Sequence, residues 1–262
     1  MKKQLYGIMI EADPSNSLGG SCIRDLYNIS NHISNLDKDK YSIQHHYILT
    51  NKSLSSDNRN KFIHSNIDFQ LITSFIPQMN DILENIPKNS TLILYISGHG
   101  YQMIDKSGDE IDNMDEYIRV NNDIIIDDQI KLEIIDKIDK IDNTIQVIAI
   151  CDTCHSGSMF DLDYQWCSIT RKWILNTKRQ LLDKNIISIG ACKDNQLENC
   201  DIGNIGYGGA LTVHLIDNNL VELLLDYDNF PNNLYLVNDK LTQILNSFNQ
   251  TPILQTSNIK LI

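Results

Sequence analysis

Short, nearly continuous apolar runs alternate along this chain with stretches whose apolar positions recur at helical spacing. Gln4–Ile10 (QLYGIMI), Tyr41–Thr50, Thr91–Ser97 (TLILYIS), Thr144–Ile150 (TIQVIAI) and Ile186–Ala191 read as buried strands. Between them, Gly20–Leu36 carries Ile23, Leu26, Tyr27 and Ile33 near one helical face. Gln78–Ile86 reads as a helix stopped by Pro87, and Asp127–Ile141, Leu211–Leu224 and Leu234–Phe248 read as further helices. Pro252–Thr256 is expected as an edge strand. Strand and helix in alternation predict a mostly parallel sheet covered on both faces. Right-handed crossovers then bring the carboxyl ends of the parallel strands to one edge, where ligands bind in open α/β sheets.

Two of the strands end in reactive residues at that edge. Thr91–Ser97 runs into Gly98-His99-Gly100, and Thr144–Ile150 runs into Cys151-Asp152-Thr153-Cys154-His155-Ser156-Gly157. If the two strands are neighbours, an imidazole and a thiol meet over the sheet edge. A thiol attacks a carbonyl as thiolate, so it needs a base or cation beside it, and His99 is placed to be one. Gly98 and Gly100 clear side chains from around His99, and Gly157 does so beyond Cys154. The amides of His155, Ser156 and Gly157 are candidates for an oxyanion site. Cys151 and Cys154 also match C-x-x-C-H, the haem-attachment pattern, and C-x-x-C, which binds zinc or exchanges thiols. No second C-x-x-C completes a zinc site, and Cys151 ends an apolar strand, which favours a plain core residue.

Charge narrows the partners. The 262 residues hold 22 Lys and Arg against 34 Asp and Glu, a formal charge of −12, which repels a phosphate backbone and suits cationic ligands. Nucleic acid is therefore not expected as a partner. No apolar stretch reaches a membrane span, and the first residues lack a signal-peptide cleavage site, so no membrane partner and a cytoplasmic setting with reduced thiols are expected for the six cysteines.

Read together and in order, Tyr95-Ile96-Ser97-Gly98-His99-Gly100 and Cys151-Asp152-Thr153-Cys154-His155-Ser156-Gly157 resemble the two catalytic segments of metacaspases, in the caspase/legumain clan of cysteine peptidases. Two further segments agree. Asp115-Glu116-Tyr117-Ile118 with Asp123 and Ile126-Asp127-Asp128 is similar to that family's acidic stretch. Gly190-Ala191-Cys192-Lys193-Asp194-Asn195-Gln196, with Gly208-Gly209-Ala210-Leu211-Thr212, is similar to the start of its small-subunit region. The resemblance implies a caspase-like three-layer αβα sandwich over 1–262: a large-subunit-like region 1–163, a linker 164–185 and a small-subunit-like region 186–262. It is type I-like in order. It shows neither the Pro- or Gln-rich or zinc-finger prodomain of many type I members nor the long insertion of type II members.

The same resemblance implies a calcium-stimulated endopeptidase cleaving after Arg or Lys through a Cys154–His99 dyad, acting as a monomer on protein or peptide substrates. By motif position the pocket for the basic side chain falls on Cys22, Asp25, Ser97 and Asp152, and the calcium site on Asp115, Asp127, Asp128 and Asp161. The pocket reading requires Arg24 to face outward. Without the resemblance, Asp25 and the Asp127–Asp128 pair read as first-turn helix acids. Asp105–Asp112 lacks EF-hand spacing and reads as an ordinary loop. Arg171, Lys172, Lys178, Arg179 and Lys184 are either self-processing sites or a cationic helix face. The alternative to an enzyme is a catalytically silent interaction module on the same fold, and the intact His99 and Cys154 argue against it.

Overall fold

In a computed structural model the described residues are 2–18, 20–51, 67–108, 110, 112–142, 144–176, 185–197, 208–226 and 229–257. The main sheet begins with β1 (Lys3–Ala12), β2 (Tyr41–Thr50), β3 (Ile67–Leu71) and β4 (Ser90–Gly98). After a hairpin described below, it continues with β8 (Gln146–Asp152), β9 (Tyr164–Cys167), β10 (Lys172–Leu175), β11 (Ile186–Gly190) and β12 (Ile253–Thr256). Their order is β10-β9-β12-β11-β8-β4-β1-β2-β3. From β11 to β3 all pairs are parallel, and β10, β9 and β12 close the other side antiparallel. Every residue of β4 is buried, as its unbroken apolar run requires at the centre of a sheet covered twice.

Two apolar clusters lie on the two faces. One joins Met9, Tyr95 and Ile150 to α1 (Ser21–Ser34) and to α5 (Ala210–Asp217), α6 (Leu220–Leu225) and α7 (Phe230–Leu245). The other joins Ile10, Leu94 and Ala149 to α2 (Phe75–Leu83) and to a composite helix. That helix runs through α3 (Asp127–Ile130), a π-helical turn (Lys131–Ile135) and α4 (Asp136–Ile141). This is the expected three-layer α/β sandwich. Helix α1 packs on the sheet through Cys22, Leu26, Ile29 and Ile33, whose spacing keeps one face buried. Asp25 lies on that same face.

Four expectations need correction. Pro252–Thr256 does not form an edge: β12 sits between β11 and β9. Leu211–Leu224 is two helices, because Asn219 adopts the left-handed conformation between them. Helix α2 starts at Phe75, ahead of the expected Gln78, with Pro77 in its first turn, where a missing amide costs nothing. Residues 164–176, expected within a linker or as a helix face, form the β9–β10 hairpin of the main sheet, with Trp166 packed on Trp173 and Tyr235. Arg171 lies at its turn; Lys178, Arg179 and Lys184 lie outside the described residues. Among the described residues no helix is long and apolar enough to cross a membrane.

Candidate active site

Strands β4 and β8 are adjacent and parallel, and Ser97 pairs with Asp152 at their carboxyl ends. His99 follows Ser97 by two residues, and Cys154 follows Asp152 by two. Equal offsets from paired positions on strands about 5 Å apart put the two loops side by side. Gly98 has φ +151°, and a Cβ there would stand 2.4 Å from the Ala12 carbonyl. The His99 amide donates to the same carbonyl at 2.9 Å, so the His99 turn is fastened to the end of β1. Gly100 lies so close to the nucleophile loop that a Cβ would be 1.8 Å from the Cys154 carbonyl oxygen. Gly100→Ala is therefore expected to force the loops apart, lowering stability by about 1–3 kcal/mol in urea titration and reducing any turnover.

His99 is partly exposed, and its Nε2 lies 2.6 Å from the Ser17 hydroxyl and 4.0 Å from Asp13 Oδ1. Its ring approaches Tyr101, which stacks on Tyr117 at 5.0 Å between centroids. Both tyrosines belong to the hairpin β5 (Gly100–Ile104), β6 (Met114–Val120), β7 (Asp123–Ile126), a separate antiparallel sheet beside the site. Cys154 is half-buried and in no disulfide. Cys151 is fully buried in β8, its thiol raised by burial and set 3.3 Å from the Thr153 hydroxyl, the surroundings of a core residue. Cys192 is also buried, its thiol pushed up to about 12 by desolvation. None of the five described cysteines is in a disulfide.

The four residues assigned to a basic pocket, Cys22, Asp25, Ser97 and Asp152, lie near one another where α1 crosses the carboxyl ends of β4 and β8. The Ser97 hydroxyl donates to Asp25 Oδ2 at 2.9 Å, and the Gly209 amide donates to both Asp25 oxygens at 3.1 Å. Asp152 accepts the Thr212 amide at 2.8 Å and the Thr212 hydroxyl. Tyr95, wholly buried beneath, joins its hydroxyl to that of Thr212. Both carboxyls are nearly inaccessible, at 2% and 1% exposure. Desolvation first, then the charge of Asp152, raise the Asp25 carboxyl well above its ordinary range. Cys22 is pushed up to about 12 by burial, then by the charges of Asp13 and Asp25. Arg24 is half-buried rather than turned fully outward, and its charge draws Asp25 slightly down. The charge of Asp152 thus opposes ionisation of the buried Asp25 carboxyl.

Residues 5–163 match the profile of the metacaspase peptidase C14 domain. The chain belongs to the metacaspase family. Metacaspase-1 of Saccharomyces cerevisiae is 32% identical over 155 residues, which are 58% of this chain and 32% of that protein. Metacaspase-1 of Plasmodium falciparum is 27% identical over 161 residues, 58% of this chain and 26% of that protein. The chain thus spans about a third or less of the length of these relatives. Among solved structures, a protein of Geobacter sulfurreducens superposes with a TM-score of 0.53 at 20% identity, covering 98% of this chain and 94% of that one. Caspase-1 of Spodoptera frugiperda superposes at 0.52 with 13% identity, covering 98% and 90%. These two likenesses establish the caspase-like fold.

In this metacaspase domain the loop around Cys154 is held differently from the sequence expectation. The His155 amide donates to the Gln196 carbonyl at 3.3 Å, and the Gly157 and Ser158 amides are taken by the Asp194 carboxylate. Of the three proposed oxyanion amides, those of His155 and Gly157 are therefore engaged elsewhere. Glu116 is buried beside the half-buried Asp194, and the Ser158 hydroxyl donates to Glu116. Burial and the Asp194 charge push the Glu116 carboxyl up to about 9. Motif strings included Asp194, Glu116, Tyr95, Gly209 and Thr212, but nothing in their spacing revealed these roles.

The four residues assigned to calcium are less closely gathered. Asp127 accepts amides from Glu116 at 2.8 Å and Asp128 at 2.7 Å, and burial, with smaller contributions from Asp161 and Asp115, pushes it up to about 8. Asp128 is half-buried, while Asp115 and Asp161 are buried. The buried Lys131 ammonium donates to the Asp161 carbonyl at 2.5 Å. Among the described residues no three His, Cys, Asp or Glu side chains stand close enough to hold a metal ion. The donors are all oxygen, the class calcium takes, and the Asp127 carboxyl, made less acidic by burial, would gain from a hard cation beside it. The Asp105 loop closes on itself: Asp105 accepts Gly108, Ser107 and Glu110.

Proposed function

We propose that this chain is a cysteine endopeptidase that cleaves peptide bonds after Arg or Lys, and that calcium stimulates it. The observation that carries the specificity is the buried Asp25–Asp152 pair beside the end of β4. An Arg or Lys side chain entering there would offset the repulsion between the carboxyls and favour the ionised form of Asp25. An aspartate-ended substrate would meet the opposite charge and be refused.

In this reading the Cys154 thiolate adds to the substrate carbonyl, and His99 as imidazolium gives its proton to the leaving amine. The thioester is then hydrolysed by a water from which His99 removes a proton, and Cys154 departs as thiolate. Tyr101 and the β5–β6–β7 sheet wall one side of the cleft. Calcium bound, Asp115, Asp127, Asp128 and Asp161 would be drawn together, tying that sheet and α3 to the loop beyond the nucleophile; the ion supplies charge neutralisation. We further place Arg171, at an exposed hairpin turn, as a site one copy can cut in another, and take the catalytic unit to be a monomer.

Peptide amides ending in Arg, Lys or Asp, assayed with calcium or with a chelator, test the proposal. Cleavage of the first two alone, raised about tenfold or more by calcium, is expected, since metal-ordered loops act through positioning. Cleavage after Asp, or no cleavage with stoichiometric calcium, would overturn the specificity and the activity respectively. Equal rates in chelator would remove the metal.

A further inference from the structure

The His99 ring is not held by backbone alone. Asp13, at the end of β1 and 1% exposed, gathers the following loop onto its carboxylate. Oδ1 accepts the Ser15 hydroxyl at 3.0 Å, the Ser17 amide at 3.1 Å and the Ser17 hydroxyl at 3.2 Å, while Oδ2 accepts the Leu18 amide at 3.1 Å. These bonds set the Ser17 hydroxyl 2.6 Å from His99 Nε2. Resting on the peptidase reading above, we infer that Asp13 and Ser17 are positioning residues for His99: a carboxylate–hydroxyl relay that fixes the tautomer of its imidazole.

A hydroxyl has one proton and an ionised carboxylate only accepts. When Ser17 donates to Asp13, its oxygen is left to accept, and the neutral imidazole meets it with an N–H on Nε2. The lone pair then resides on Nδ1, the nitrogen free to exchange a proton with thiol, amine or water. When the ring is protonated, both nitrogens carry hydrogen, and the Nε2–H still has its acceptor. The Asp13 carboxylate itself stands 4.0 Å from Nε2. Asp13 is thus to His99 what an orienting third group is to a general base, acting through one intervening hydroxyl. The turn that builds it is local: Asp13-Pro14-Ser15-Asn16-Ser17 starts where β1 ends, with Asn16 at φ 58°.

The relay predicts a consequence for each of its two members. Ser17→Ala leaves the loop's amide bonds to Asp13 in place and removes only the bridge. Its kcat for the preferred substrate should fall about tenfold or more with KM within about twofold, and Ser17→Thr should restore it. Asp13→Asn keeps an acceptor and removes the charge. Its amide can donate to the Ser17 hydroxyl and reverse the relay, so kcat should fall about tenfold or more with KM within about twofold. A merely structural loop residue would not lower kcat alone in this way, nor be rescued by Ser17→Thr.

A second arm needs no turnover. The rate of Cys154 alkylation by iodoacetamide, read at that cysteine by peptide mass spectrometry across pH, should change shape in Asp13→Asn and Ser17→Ala and return in Ser17→Thr. Wild-type profiles in both variants, by cleavage and by alkylation, would overturn the relay. Should the wild-type chain cleave none of the peptides, the alkylation arm alone decides it, so the two readings fail separately.

Discussion

Cys154→Ala and His99→Ala are each expected to lower peptide cleavage by at least about a thousandfold while leaving the fold in place. The reason is chemical. Without Cys154 no atom at the loop can form the acyl intermediate, since Cys151 and Cys192 are buried with raised thiols. Without His99 the thiol keeps its proton and the leaving amine has no donor. Cys154 is half-buried and His99 is 28% exposed at its side chain, so neither truncation opens a large cavity. Unfolding free energies should stay within about 1 kcal/mol of wild type. The check is kcat/KM on an Arg-ended amide, with circular dichroism and urea titration alongside. The double variant should lose little more than either single one, because the two act as a unit. A Cys154→Ala chain that still cleaves at the wild-type rate would end the peptidase reading.

The second large effect is expected at the pocket. Asp152→Ala removes one of two buried charges that would face a bound guanidinium, and such truncations cost about 2–5 kcal/mol, or roughly 30- to 4,000-fold in kcat/KM. The loss should fall on Arg- and Lys-ended substrates and spare uncharged ones. Its pH dependence has a definite sign. The Asp25 carboxyl is raised by burial and by Asp152, so it ionises only at higher pH than an ordinary carboxyl. Capture of a cation needs the ionised form, and kcat/KM for basic substrates should climb with pH through that titration. Asp152→Asn removes the neighbouring charge, and the climb should move to lower pH. Profiles for Arg-ended and uncharged substrates, measured side by side, separate this limb from any belonging to His99. If both substrates shift together, the pocket assignment fails.

These expectations show where a linear reading carries and where it stops. The periodicities of β1, β2, β4, β8 and β11 were legible because a strand buried on both faces leaves an unbroken apolar run. The strands of the β5–β6–β7 sheet, and β9 and β10, were not, because their half-exposed surfaces mix Tyr, Gln, Asp and Lys without clean alternation. The position of β12 inside the sheet depends on the β9–β10 hairpin, which lies far from it in sequence.

The chain's own order of residues determined the family, the strand-ending His99 and Cys154, and the acids at 25 and 152, because each is tied to a local motif or to a strand end. Only the tertiary structure decided that Ser97 and Asp152 share a register, that Asp25 reaches across from α1 to join them, and that Asp13 addresses His99 through Ser17. The physical reason is distance along the chain. Ser17 and His99 are 82 residues apart, and Asp25 and Gly209 are 184 apart. No spacing rule spans such separations; sheet register and helix packing do.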